Sequence, residues 1–117
     1  MAPRLATVRS AGGATVCERC LLADSPWLRM KGLLGRRELP AGEGILLRPA
    51  SSIHMLFMRF PIDAVFLSRD LTVLRIAADL APWRLAAKRG AHAVLELPAG
   101  TAAGCGLREG ERLVLQP

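Results

Sequence analysis

The chain has 117 residues, 51% of them hydrophobic and 22% charged, which suits one domain with its own core and excludes intrinsic disorder. Sixteen basic residues against ten acidic give a net charge of +6. The basic residues are scattered, no run exceeding Arg36-Arg37 or Lys88-Arg89. The basic-aromatic interleaving of a single-strand platform is absent, so nucleic acid is not expected as a partner.

Residues 1–13 read as a loose N-terminal segment and 14–117 as a single β-rich domain. Ala14 to Ala23 predicts a strand. Asp24-Ser25-Pro26 offers a capping side chain and a first-turn Pro, so a helix is expected from Pro26 to about Leu34, with Gly35 as its left-handed stop. Trp27, Met30, Leu33 and Leu34 recur at helical spacing and form one buried stripe. A turn over Leu39 to Gly44 precedes a strand at Ile45–Leu47. A further strand is expected over Ser52 to Met58, broken by Arg59-Phe60-Pro61. Asp63–Leu67 and Thr72–Ile76 flank Ser68 to Leu71 and read as a hairpin. Asp79 to Gly90 reads as a polar loop around Trp83. Ala93–Leu97 predicts a strand, Thr101–Cys105 a short helical turn, and Arg112–Leu115 a closing strand. Strands separated by turns predict a mainly β (α+β) fold, with a single small antiparallel, barrel-like sheet and one clear helix near 26–34.

Charged residues interrupt every apolar stretch well short of the roughly 18 residues a membrane span needs. Met1 to Val16 lacks the apolar core of a signal peptide, so a cytoplasmic location is expected. Three cysteines are an odd number and argue against a disulfide framework.

Cys17-Glu18-Arg19-Cys20 has the spacing of a redox pair or half a zinc site. Residues three apart on a regular strand face opposite sides. Cys17 and Cys20 are therefore expected on opposite faces, with no bound metal and no disulfide between them. Cys105, between two glycines, reads as a small buried thiol. His54 and Met58 share one face of their expected strand, and Arg59 follows. Asp63 opens an apolar strand and must find donors there, either backbone N–H groups or Arg59. Glu96, inside Val94-Leu95-Glu96-Leu97, poses the same question, with Arg side chains as its expected partners. A phosphate loop, a nucleophile elbow and a dinucleotide fingerprint are all absent, and no cofactor is expected.

Four blocks in order carry a resemblance. They are Ala23-Asp24-Ser25-Pro26 with Arg29 and Lys31-Gly32-Leu33-Leu34-Gly35-Arg36; Leu39-Pro40 with Gly44-Ile45-Leu46-Leu47; Pro61-Ile62-Asp63-Ala64-Val65-Phe66-Leu67; and Leu95-Glu96-Leu97-Pro98-Ala99-Gly100 with Gly106-Leu107 and Gly110-Glu111. Together they span about residues 20–115. The chain resembles the bacterial and archaeal family called domain of unknown function 192. It departs where that family often has Trp-Met-Lys-Asn-Thr, carrying His54-Met55-Leu56-Phe57-Met58 instead. The resemblance implies a small barrel-like β domain and no particular reaction.

The reading favoured by these residues is a non-enzymatic binding or accessory module for a small ligand or a protein partner. Its site would be built from His54, Met58, Arg59 and Asp63, with Trp83 nearby. Two alternatives are an enzyme using His54, Asp63 and Glu96, and a thiol or zinc module using Cys17 and Cys20.

Overall fold

The structure, a computed structural model, describes residues 4–117, the side chains of Pro26, Trp27 and Met30 excepted. The Trp27 and Met30 members of the expected helical stripe therefore lie outside the described side chains.

In chain order the elements are β1 (Arg4–Ser10), β2 (Thr15–Ala23), α1 (Pro26–Lys31), β3 (Glu43–Leu47), β4 (Ser52–His54), β5 (Ile62–Leu67), β6 (Val73–Leu80), β7 (Leu85–Ala87), β8 (Ala93–Pro98), α2 (Thr101–Gly104) and β9 (Leu113–Gln116). The segment expected to be loose thus supplies a strand, and an inner one, paired on both sides by β2 and β9. Helix α1 is capped by Ser25, whose side chain accepts from the Leu28 N–H. It stops at Gly32 rather than Gly35, because Gly32 adopts φ 46° and ψ −126°, a conformation that costs any residue with a Cβ. The strand expected to reach Met58 ends at His54, since Phe57 lies at φ 64° and turns the chain.

Seven strands form one sheet in the order β6-β5-β8-β3-β2-β1-β9, and β4 and β7 form a second sheet of two. The large sheet is mixed, contrary to the expectation of one antiparallel sheet, because β2 and β3 run parallel. The segment 24–42, with α1 inside it, is long enough to carry the chain back for a parallel partner. The loop expected around Trp83 contributes β7, which pairs with β4.

The sheet curls into a half-barrel whose two edges meet at one corner. There Thr72 bridges Arg112, and the Val73 and Leu113 amides donate to the Glu111 and Leu71 carbonyls at 2.8 and 2.9 Å. The curl encloses Val8, Cys20, Leu46, Val65, Leu95 and Leu97 on its inner face. The outer face presents Ile45, Leu47, Ile62, Phe66 and Val94, covered by Leu33, Leu39, Ile53, Met55 and Met58 from the overlying segments. Strands β5 and β8 are therefore buried on both sides, which is why they read as nearly unbroken apolar runs. Enclosing one such side chain contributes about 1.5–3 kcal/mol. Two carboxylates, Asp63 and Glu96, sit within these runs.

Candidate functional site

Strands β5 and β8 pair antiparallel with Asp63 opposite Leu97 and Ala64 opposite Glu96. Paired residues share a face and neighbours alternate. Asp63 consequently points into the half-barrel with Val65 and Leu97, and Glu96 points outward with Ala64 and Val94. The two carboxylates lie on opposite sides of one sheet and do not form a pair.

Asp63 is 1% exposed. Its Oδ1 accepts from the Asp79 N–H at 2.9 Å, and its Oδ2 accepts from the Gly100 and Ala102 N–H groups at 3.1 and 2.9 Å. These bonds tie the end of β6 and the start of α2 to β5. Arg59, the other partner considered for Asp63, takes no part.

Glu96 is 5% exposed, yet among the described residues it has no hydrogen-bond donor and forms no ion pair. Burial alone pushes its carboxyl up to about 7, since desolvation penalises the charged form. No arginine pairs with it among the described residues, contrary to expectation. Glu96 instead reaches a cleft of about 110 Å³ between the end of α1 and strand β4. Arg29, Lys31 and Gly32 line one wall, Ser52, Ile53 and His54 the other, and Met58 and Leu47 the base. A Cβ on Gly32 would sit 3.9 Å from Glu96 Oε1, so the helix stop passes directly over the carboxyl. Arg29 donates from Nη1 to the Pro49 carbonyl at 3.2 Å, while its buried Nε has no partner among the described residues. Beside one small cleft there are thus, among the described residues, a carboxyl with no donor and a buried Arg29 N–H with no acceptor.

The family follows from the whole length of the chain. Residues 7–115 match the DUF192 family, described as "Uncharacterized ACR". The chain belongs to the DUF192 family. No curated protein matches it. Two solved structures are similar to this DUF192 chain. One is a "putative transcription regulator" from Sinorhizobium meliloti 1021, 28% identical, with a TM-score of 0.86, covering 98% of this chain and 96% of that one. The other is a protein of unknown function from Novosphingobium aromaticivorans DSM 12444, also 28% identical, with a TM-score of 0.80, covering 97% and 93%.

Of the five residues singled out in this DUF192 sequence as a ligand site, the structure brings His54 and Met58 together at the cleft. His54 stands exposed at its rim and Met58 is buried in its base. Asp63 is on the far side of the sheet. Arg59 is exposed and does not line the cleft. Trp83 is 59% exposed and lies against Phe57 outside it, ring centroids 5.0 Å apart. Of the cleft residues not singled out, Arg29 and Lys31 are near His54 only through tertiary folding, whereas Ser52 stands two residues before it on the same strand. The one local hint was Gly32, a helix-weakening residue at the end of an otherwise good helical run.

The cysteine pair is arranged differently from expectation. The β1–β2 register passes from Ala6↔Cys20 to Val8↔Cys17, so three residues of β2 span two of β1. This bulge turns Glu18 and Arg19 both outward and brings Cys17 and Cys20 to the same inner face. The Cys17 thiol donates to the Gly42 carbonyl at 3.5 Å and the Cys20 thiol to the Leu21 carbonyl at 3.8 Å, and the closeness of the two sulfurs lowers Cys17 and, together with burial, raises Cys20. Both are free thiols. Cys105 is half-buried, its Sγ 3.6 Å from the Ala102 carbonyl oxygen.

Proposed function

We propose that this DUF192 domain binds a small polar ligand in the cleft over Glu96. The observation that carries the reading is a carboxyl, 5% exposed, that has no donor among the described residues and lines an open cleft. Such a group destabilises the fold it sits in. Chains keep features that oppose stability where function uses them. A ligand that donates a hydrogen bond would complete Glu96 as Asp63 is completed by backbone amides.

The size and charge of the cleft narrow the chemistry. A volume of about 110 Å³ equals three or four waters at roughly 30 Å³ each. It admits a small molecule or one head group. Arg29 and Lys31 in the wall favour a ligand whose other end is negative. A small hydroxylated or amide-bearing anion meets both demands. Glycolate and acetate form a matched probe pair, differing by one hydroxyl. Glycolate is expected to bind at least about tenfold tighter, the low end for a hydrogen bond to a charged group, and Glu96→Leu should abolish the difference. Equal shifts of the amide resonances lining the cleft by the two anions, or an unchanged preference in Glu96→Leu, would contradict the reading.

A second reading has one observation in its favour. Glu96, raised to about 7, shares the cleft with His54, and a group poised near neutral pH suits proton transfer. Asp63 has no place in such an enzyme. Turnover of a bound probe, lost in both Glu96→Gln and His54→Ala, would favour this reading over binding alone. A ligand-sensing cleft also agrees with the regulator description of the Sinorhizobium relative.

A further inference from the structure

A second surface, separate from the Glu96 cleft, carries its own argument. Phe57 is 72% exposed, Trp83 59%, Leu85 72% and Leu56 36%. These four are neighbours. His54 pairs with Leu85 across β4 and β7, and the Phe57 and Trp83 rings touch. Both aromatic residues have left-handed backbones, φ 64° for Phe57 and 69° for Trp83, which bulky residues adopt only at a cost. The backbone fixes them there. Trp83 N–H donates to the Met55 carbonyl at 2.7 Å, and Met55 N–H donates to the Arg84 carbonyl at 2.8 Å. Strain and hydrogen bonds together hold two rings out in water.

The same region has one sign of charge. Residues 49–62 and 80–95 contain no Asp or Glu but carry Arg59, Arg84, Lys88 and Arg89. All four cations are exposed, and none forms an ion pair among the described residues. Every described ion pair is made by Asp24 or Glu43, at β2, β3 and the start of α1. Four of the twelve cations outside the described ion pairs thus fall in the stretches that carry the exposed apolar side chains.

We infer that this aromatic and cationic edge docks on the surface of an anionic phospholipid bilayer. Aromatic and leucine side chains enter the interfacial zone, and unpaired arginines and lysines meet lipid phosphates. The extent of the patch favours a bilayer over a protein. Its four side chains expose on the order of 450 Å², taking aromatic areas as a guide. That is about half of the roughly 800 Å² per partner in a stable protein interface. Shallow insertion needs no shape complementarity and no larger area. Among the described residues no helix is long and apolar enough to cross a membrane, and the attachment inferred is peripheral.

The test is co-sedimentation of the full chain with vesicles of phosphatidylglycerol and phosphatidylcholine, against vesicles of phosphatidylcholine alone. Binding to the anionic vesicles alone is expected, weakening with salt as Debye screening requires. Asn tolerates left-handed backbone, so Phe57→Asn with Trp83→Asn should keep the fold, checked by circular dichroism, while vesicle binding drops at least about tenfold. Arg84→Ser and Lys88→Ser should each lower it roughly fivefold. Equal binding to neutral vesicles, no binding to anionic ones at low salt, or full binding by the double Asn variant would overturn the inference. So would capture of a leucine-bearing poly-glutamate peptide by this edge without vesicle binding, which would assign it to an acidic protein partner.

Discussion

Asp63 and Glu96 invite direct comparison. They sit on adjacent strands, one residue apart in register, and both are almost wholly buried. Asp63 turns inward and meets three backbone amides. Glu96 turns outward and, among the described residues, meets none. Burial is common to both, so it cannot be what separates an acid the fold satisfies from one it leaves open. The separating factor is the supply of donors. Where the fold supplies them, the carboxylate binds distant segments together. Where it supplies an open cleft instead, the carboxyl is held near neutral pH with room beside it for something else.

Substitutions can break or sharpen this contrast. The largest effect is expected at Asp63. Asp63→Ala leaves three N–H groups unmet, that of Ala102 buried and those of Asp79 and Gly100 part-buried, and an unmet buried donor costs about 1–3 kcal/mol. A loss of at least about 3 kcal/mol should appear in urea unfolding, and an unchanged midpoint would refute the structural role. Glu96→Gln should act in the opposite direction. The folded carboxyl titrates near 7 rather than the ordinary 4.5, and a difference of that size amounts to about 3 kcal/mol at about 1.4 kcal/mol per unit. Removing the charge should therefore stabilise the protein by up to that amount at pH 8 and by almost nothing at pH 4. Thermal or urea unfolding at the two pH values tests this directly.

Gly32→Ala is expected to cost about 1–3 kcal/mol, the range for strain at a backbone conformation that side chains avoid, and to disturb the amide resonances around Glu96. Preserved stability would show that the helix can end elsewhere. His54→Ala should be the mildest. An exposed rim residue away from core features changes stability by no more than about 0.5 kcal/mol, while glycolate binding should weaken. A large loss of stability would place His54 in the core after all.

Much of the fold was legible because its signals are local. The apolar runs of β5 and β8, the Ser25 cap and the Ser68–Leu71 turn can all be read within a few residues. What escaped the sequence depends on distant parts of the chain. The donors to Asp63 come from 16, 37 and 39 residues away, so its need for partners was readable and their identity only partly so. The parallel pairing of β2 with β3 depends on how segment 24–42 packs, and turn-separated strands gave no hint of it. The bulge that aligns Cys17 with Cys20 has no Gly to mark it, and strict alternation therefore placed the two thiols apart. His54 and Met58 reach one cleft for a reason other than the one inferred, since a turn rather than a continuing strand relates them. Asp63 was grouped with them by proximity in sequence, and alternation along β5 sends it to the opposite face.

The pH dependence of unfolding in the native chain and in Glu96→Gln tests the central claim most directly. Below about pH 4.5 Glu96 is protonated folded and unfolded, and its burial costs little. Between about 4.5 and 7 the folded chain holds the extra proton, so native stability falls as pH rises. Above about 7 the whole cost of a buried, unpartnered carboxylate is present. The difference in unfolding free energy between variant and native chain should therefore open across that window to about 3 kcal/mol and level off. Parallel curves from pH 4 to pH 8 would show that Glu96 is satisfied in the folded protein, and would contradict the account.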